Sequence, residues 1–202
     1  MAILSKDKIE EYLSLDDHEK RLIVTPILDR EKQLGASTID LRLGTKFKVD
    51  MRTREPYIDP MENNRPIETF FDQTYRNFGE KFLLYPGQLV IASTFEYVRL
   101  PSNLMGLVVT RSSWNRLGVT ISSVVQPGYV GVLTLELVNR SSNPIAIYPG
   151  LRFVQLLLFE VKGDTKILDY ALQSLSKYVA NTEPFISNIF RDKDLETLMK
   201  FI

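Results

Sequence analysis

From Lys81 to Val161 the chain is a succession of short apolar runs separated by tight-turn residues, and this texture constrains its fold more than any other feature. The runs KFLLY, QLVIASTFEYVRL, LMGLVV, GVTISSVV, VGVLTLELVN, PIAIY and LRFVQLLLFEV are rich in the β-branched and aromatic residues that suit a pleated surface. Pro-Gly punctuates them three times, at Pro86-Gly87, Pro127-Gly128 and Pro149-Gly150. Proline presets φ at the second position of a turn, and glycine accepts the positive φ of the third, so each pair predicts a type II turn. Two of the three share the triplet Tyr-Pro-Gly, a hint of repeated hairpins. Many short strands, tight turns and little helix predict a mainly β fold: a sandwich, a jelly roll or a distorted barrel.

The flanks differ from this core. Ser5 is placed to cap a short helix with Ile9, Tyr12 and Leu13 on one face, ending near residue 15. Residues 22 to 78 are brief apolar runs broken by proline and glycine. Within them STIDLRLG alternates cleanly, with Ile39, Leu41 and Leu43 on one face and Thr38, Asp40 and Arg42 on the other. The stretch 50 to 78 reads as an excursion over the surface. After Lys162 the texture becomes small, polar and aromatic without a period, as expected of a lid or a tail. The final DKDLETLMKFI places Leu195, Leu198, Met199 and Ile202 at helical spacing, for packing on its own domain or on a neighbour. The expected division is a β domain over 1–162 and, within the same domain, a C-terminal segment with a terminal helix over 163–202. A chain of 202 residues suffices for one such domain, hiding roughly 70% of its extended surface.

Charge and composition narrow the function. The 25 basic and 25 acidic side chains balance, which gives no general electrostatic case for coating nucleic acid or a membrane surface. No run approaches the about 20 apolar residues of a membrane span, so a soluble, cytoplasmic protein is expected. There is no cysteine, which removes disulfides, thiol nucleophiles and Cys-ligated zinc. The single histidine, His18, sits in the acidic stretch DDHEK and reads as a surface residue.

Three places carry candidate chemistry. TRSSWNRLG, Thr110 to Gly118, suggests one helical turn capped by Ser112 or Ser113 and stopped at Gly118. With Arg111 at its mouth and Arg116 four residues after Ser112, it reads either as a phosphate cradle or as a capped turn with solvated arginines. Glu136 in VGVLTLELVN faces away from Leu133, Leu135 and Leu137, toward water or toward a site. Gln155 is expected on one face with Leu151, Phe153, Leu157 and Phe159, where a buried amide needs a hydrogen-bond partner.

These pieces, in order, resemble the motifs of the deoxycytidine triphosphate deaminases, relatives of the trimeric deoxyuridine triphosphatases. The resemblance rests on RSSWNRLG, QPGYVG, TLELVN, YPGLRFVQL and SKY, with STIDLRLG and FLLYPGQLVIASTFEYVRLP before them, and covers about residues 3 to 182. It implies a dUTPase-like β-barrel or jelly-roll homotrimer with sites between subunits. It implies Mg²⁺ carried on a dCTP or dUTP triphosphate, and no zinc. By position, Glu136 would be the general base that activates water, with Ser112 and Arg116 orienting water and stabilising charge. Arg111, Ser113 and Gln155 would hold phosphates, Tyr129 would stack on the deoxyribose, and Tyr170, Lys177 and Tyr178 would belong to a lid. The pattern has a longer segment between Gly118 and Pro127. Here VTISSVVQ is shorter and places Gln126, at the sugar 3′-hydroxyl, where an aspartate is usual. An amide keeps a hydrogen bond but cannot act as a base. Trp114 replaces a smaller apolar residue and Thr110 a glycine. The expected activity is hydrolytic deamination of dCTP to dUTP and ammonia. The alternatives are a dUTP diphosphatase, a bifunctional enzyme taking dCTP to dUMP, and a non-catalytic nucleotide-binding or structural homologue.

Overall fold

A computed structural model describes residues 2–61, 66–163, 181–198 and 200–201. In chain order it contains α1 (Lys6–Ser14), β1 (Ile23–Thr25), α2 (Arg30–Gln33), β2 (Thr38–Arg42), β3 (Lys46–Asp50), a 3-10 turn (Ile67–Phe70), β4 (Phe71–Tyr75), β5 (Phe82–Leu84), β6 (Leu89–Arg99) and β7 (Leu104–Thr110). There follow α3 (Ser112–Arg116), β8 (Val119–Thr120), β9 (Ser122–Val125), β10 (Val130–Asn139), β11 (Ile145–Ile147), β12 (Arg152–Glu160), a second 3-10 turn (Ile189–Arg191) and α4 (Lys193–Leu198). No helix among the described residues is long and apolar enough to cross a membrane.

The strands form two main antiparallel sheets. One has the order β4-β3-β6-β10-β8, with β1 also paired to β6, and the other has the order β2-β12-β7-β9. β5 and β11 make a small ribbon. Between the sheets lies one core in which Phe47, Phe153, Leu41, Leu43, Leu135 and Leu137 are fully buried, each side chain contributing about 1.5–3 kcal/mol by leaving water. Among the described residues neither sheet closes on itself, so of the expected forms the jelly roll fits and the closed barrel does not.

All three Pro-Gly pairs make the turns their chemistry predicts. Gln88 N–H donates to Tyr85 O, Tyr129 N–H to Gln126 O and Leu151 N–H to Tyr148 O, while Gly87, Gly128 and Gly150 hold φ of 71°, 76° and 88°. Ser5 caps α1, accepting from Lys8 N–H, and Ile9 of that helix is fully buried. His18 is exposed.

Two elements depart from the sequence expectation. The stretch 50 to 78 is not only a surface excursion, because β4 pairs with β3 along its length. β4 is an edge strand of half-buried and exposed residues, so it carries no apolar run to announce it. GVTISSVV is two strands: Val119 and Thr120 pair with β10 in the first sheet, whereas Ser122 to Val125 pair with β7 in the second. The chain crosses between sheets at Ile121. There the Thr110 hydroxyl accepts from Ile121 N–H at 2.7 Å and lies 3.5 Å from Ile121 O as donor. The threonine thus clasps the crossing.

Candidate active site

A cavity of about 510 Å³ opens where the two sheets part. The first sheet contributes Leu89 and Ile91 of β6 and Leu133, Thr134 and Glu136 of β10, together with Phe71. The second contributes Val108 of β7 and Ser123 to Val125 of β9, and the loop after β9 adds Gln126 and Tyr129. The alternation of β10 sets Glu136 there. Leu133, Leu135 and Leu137 turn into the core, leaving Thr134 and Glu136 on the opposite face, as the sequence predicts. Glu136 is itself exposed, and the neighbouring apolar walls partly desolvate its carboxyl and raise its pKa above the ordinary 4.5, an effect partly offset by a hydrogen bond from its own backbone N–H. A carboxylate so placed is a proton acceptor poised closer to neutrality.

The turn from Gln126 to Tyr129 carries both residues into the same cavity. Tyr129 is 9% exposed and its hydroxyl donates to Val132 O at 2.7 Å, which fixes the ring against the cavity floor. Glu136, Gln126 and Tyr129, all marked by the sequence, therefore come together in one chain.

The remaining marked residues gather elsewhere. α3 is a five-residue turn whose N-cap position is Arg111, with no side-chain cap; neither Ser112 nor Ser113 caps it, because both lie inside the helix. The turn does stop at Gly118, with φ 100°. Ser112, Ser113 and Arg116 are exposed and do not line the Glu136 cavity. Trp114 points inward: its indole N–H donates to Arg152 O at 3.2 Å and its ring lies 4.9 Å from that of Phe153. The bulky residue thus pins α3 to β12 and leaves the cavity open.

Gln155 shares the face of Leu157 and Phe159, as the sequence predicts, but lies on the opposite face from Phe153. A register shift between Arg152 and Val154 makes Phe153 the extra residue of a bulge, so Phe153 and Val154 are both buried and Gln155 turns outward. There it meets the buried Asp40, which accepts from Gln155 Nε2 at 3.1 Å, from Arg152 Nη1 at 3.2 Å and from Arg111 Nε at 3.0 Å. Asp40 is the hub of this cluster, and the sequence did not mark it. Its alternation in STIDLRLG was legible, but its partners come from distant strands.

Below Asp40 runs a second buried network. Gln33 Nε2 donates to Asp40 O at 3.2 Å and to Glu96 Oε1 at 3.0 Å, and Arg42 N–H donates to Glu96 Oε2 at 2.7 Å. Burial raises the Glu96 pKa to about 7 against the pull of those donors and of the Arg42 charge. Among the described residues, no group of three or more His, Cys, Asp or Glu side chains is arranged to hold a metal ion. Tyr170, Lys177 and Tyr178 lie outside the described residues.

The chain is similar to several known proteins. The family described as "dCTP deaminase-like" matches residues 3–161. A protein of Methanobrevibacter smithii named "dCTP deaminase, dUMP-forming" is 38% identical over 200 residues, 97% of this chain and 100% of its own length. One of Halorubrum lacusprofundi named "dCTP deaminase" is 36% identical over 182 residues, 89% of each chain. The crystal structure of 2′-deoxycytidine 5′-triphosphate deaminase from Agrobacterium tumefaciens superimposes with a TM-score of 0.57 at 25% identity, covering 77% of this chain and 46% of that one.

Proposed function

The chain belongs to the dCTP deaminase-like family, and from that premise we propose that it is a hydrolase converting dCTP and water to dUTP and ammonia. Glu136 carries the reading. It takes a proton from water, the resulting hydroxide attacks C4 of the cytosine, and the proton passes to the exocyclic nitrogen. The C4–N bond then breaks to release ammonia, and the proton of the new C4 hydroxyl moves to N3, leaving the C4 carbonyl. A base for this step needs a pKa raised toward neutrality, and partial desolvation moves Glu136 in that direction. The donor set for a Cys/His zinc site is missing, with no cysteine and one exposed histidine, so the carboxylate does the work of water activation. Mg²⁺ arrives as part of the substrate, on the triphosphate.

Arg111, Ser113 and Gln155, with Tyr170, Lys177 and Tyr178, hold the phosphates. Tyr129 packs on the deoxyribose and Gln126 bonds its 3′-hydroxyl. Ser112 and Arg116 orient the water and stabilise developing charge. Their absence from the lining of the Glu136 cavity supports a homotrimer in which they reach the Glu136 of a neighbouring copy. The outer face of the second sheet supports the same assembly, since Leu107, Val109, Leu157 and Phe159 are only half-buried there and Val124 is 53% exposed.

Release of dUMP is the second reading, favoured by the name of the M. smithii relative, and Gln126 weighs against it because an amide cannot activate the second water. The test resolves products of Mg²⁺-dCTP and Mg²⁺-dUTP by ion-exchange chromatography. The wild type is expected to yield dUTP from dCTP. Glu136→Gln is expected to bind dCTP with near-native affinity and release no ammonia, and unchanged turnover in that variant would refute the assignment.

A further inference from the structure

Residues 181 to 187 return to the first sheet and lie along β10. Val132 N–H donates to Asn181 O at 2.8 Å, Gly131 and Asn181 form a parallel bridge, and Phe185 N–H donates to Thr134 Oγ1 at 3.3 Å. A salt bridge ties Glu183 to Lys46 of β3. The approach is close: a Cβ on Gly131, whose φ is 143°, would stand 3.0 Å from the Asn181 nitrogen and 3.1 Å from its oxygen. Only glycine admits this strap at that distance.

The strap then bounds the Glu136 cavity. Phe185, Ile186 and Ser187 line it, and Ile186 is 5% exposed. None of the roles assigned to Glu136, Gln126 or Tyr129 requires this segment. Its chemistry nevertheless suits a base: a pyrimidine has apolar faces and a polar edge, and the cavity offers apolar walls with hydroxyl, amide and carboxylate groups between them.

We propose that the strap is a specificity-determining wall of the base pocket, with Ile186 as the side chain whose bulk tunes how well a pyrimidine is held there relative to a purine. β9 bounds one side of the cavity with the short run Ser123 to Val125, and the strap supplies the wall that so short a segment does not. The inference rests on reading the cavity as the site of the nucleotide base.

The full-length protein tests it through equilibrium binding of Mg²⁺-dCTP and Mg²⁺-dATP by calorimetry, with melting temperature and oligomeric state recorded alongside. Ile186→Trp, which thickens this wall, should weaken dCTP binding by at least about tenfold with the fold retained. Ile186→Ala, which thins it, should narrow the preference for dCTP over dATP by about tenfold. Ile186→Val, too small a change to unfold the protein, should move that preference in the same direction. Variants with wild-type affinity and wild-type preference would overturn the wall while leaving the deaminase reading standing. A wild-type protein that binds neither nucleotide would overturn the deaminase reading and the wall with it.

Discussion

Desolvation raises the pKa of both Glu136 and Glu96, but Glu136 is exposed on a cavity wall and Glu96 is not. Glu96 is fully buried beneath β2, and its consequence is for stability. Below pH 4.5, its ordinary value, folded and unfolded chains both hold its proton. Between 4.5 and about 7 the folded chain holds a proton that the unfolded chain has lost, so stability falls as pH rises through this window and levels off above it. The loss is on the order of 3 kcal/mol. Denaturant unfolding at pH 5 and pH 8 should show it as a difference between wild type and Glu96→Gln, whose profile lacks that slope; parallel profiles would count against it. The outward face of Glu136 was legible from alternation, whereas its place in a site, like those of Gln126 and Tyr129, came only from the family resemblance. Asp40 as a hub and Gln155 as an outward residue were legible in neither way, because both depend on which strands pair and on a bulge that adds one residue to β12.

At the scale of elements, the three type II turns and most strands follow from local chemistry, and their boundaries fall within a residue or two of the apolar runs. The crossing at Ile121 does not. A run such as GVTISSVV has one uniform β character, and nothing local tells it to leave one sheet for the other. What holds the crossing is a single hydroxyl from the end of β7. Thr110→Val removes both contacts and leaves the buried Ile121 N–H without its acceptor, at a cost of about 1–3 kcal/mol. Chemical denaturation should report that loss, and hydrogen exchange should report faster exchange at Ile121 in particular. A valine variant as stable and as protected as the wild type would show that the clasp is incidental. The end of the chain marks the opposite limit: α4 forms as its spacing predicts, yet Leu198 and Phe201 stay 53% and 83% exposed, so it does not pack fully on its own domain.

For the whole molecule, the division of the proposed machinery between the Glu136 cavity and α3 makes assembly testable. Light scattering should return three times the 23.2 kDa chain mass. Glu136→Gln and Ser112→Ala should each be inactive alone. Mixed and co-refolded, they should regain ammonia release, because some shared sites then draw a native Glu136 from one copy and a native Ser112 from another. No recovery in mixed trimers would place both residues in one chain's site. The cavity borrows its walls from strands of both sheets and from the strap of residues 181 to 187 that lies along β10. Glu136 sits on the face of β10 turned away from the core, so the span of the mouth follows how firmly that strap stays seated on Gly131, Val132 and Thr134, and a substitution at those positions is felt beside Glu136 as a change in width.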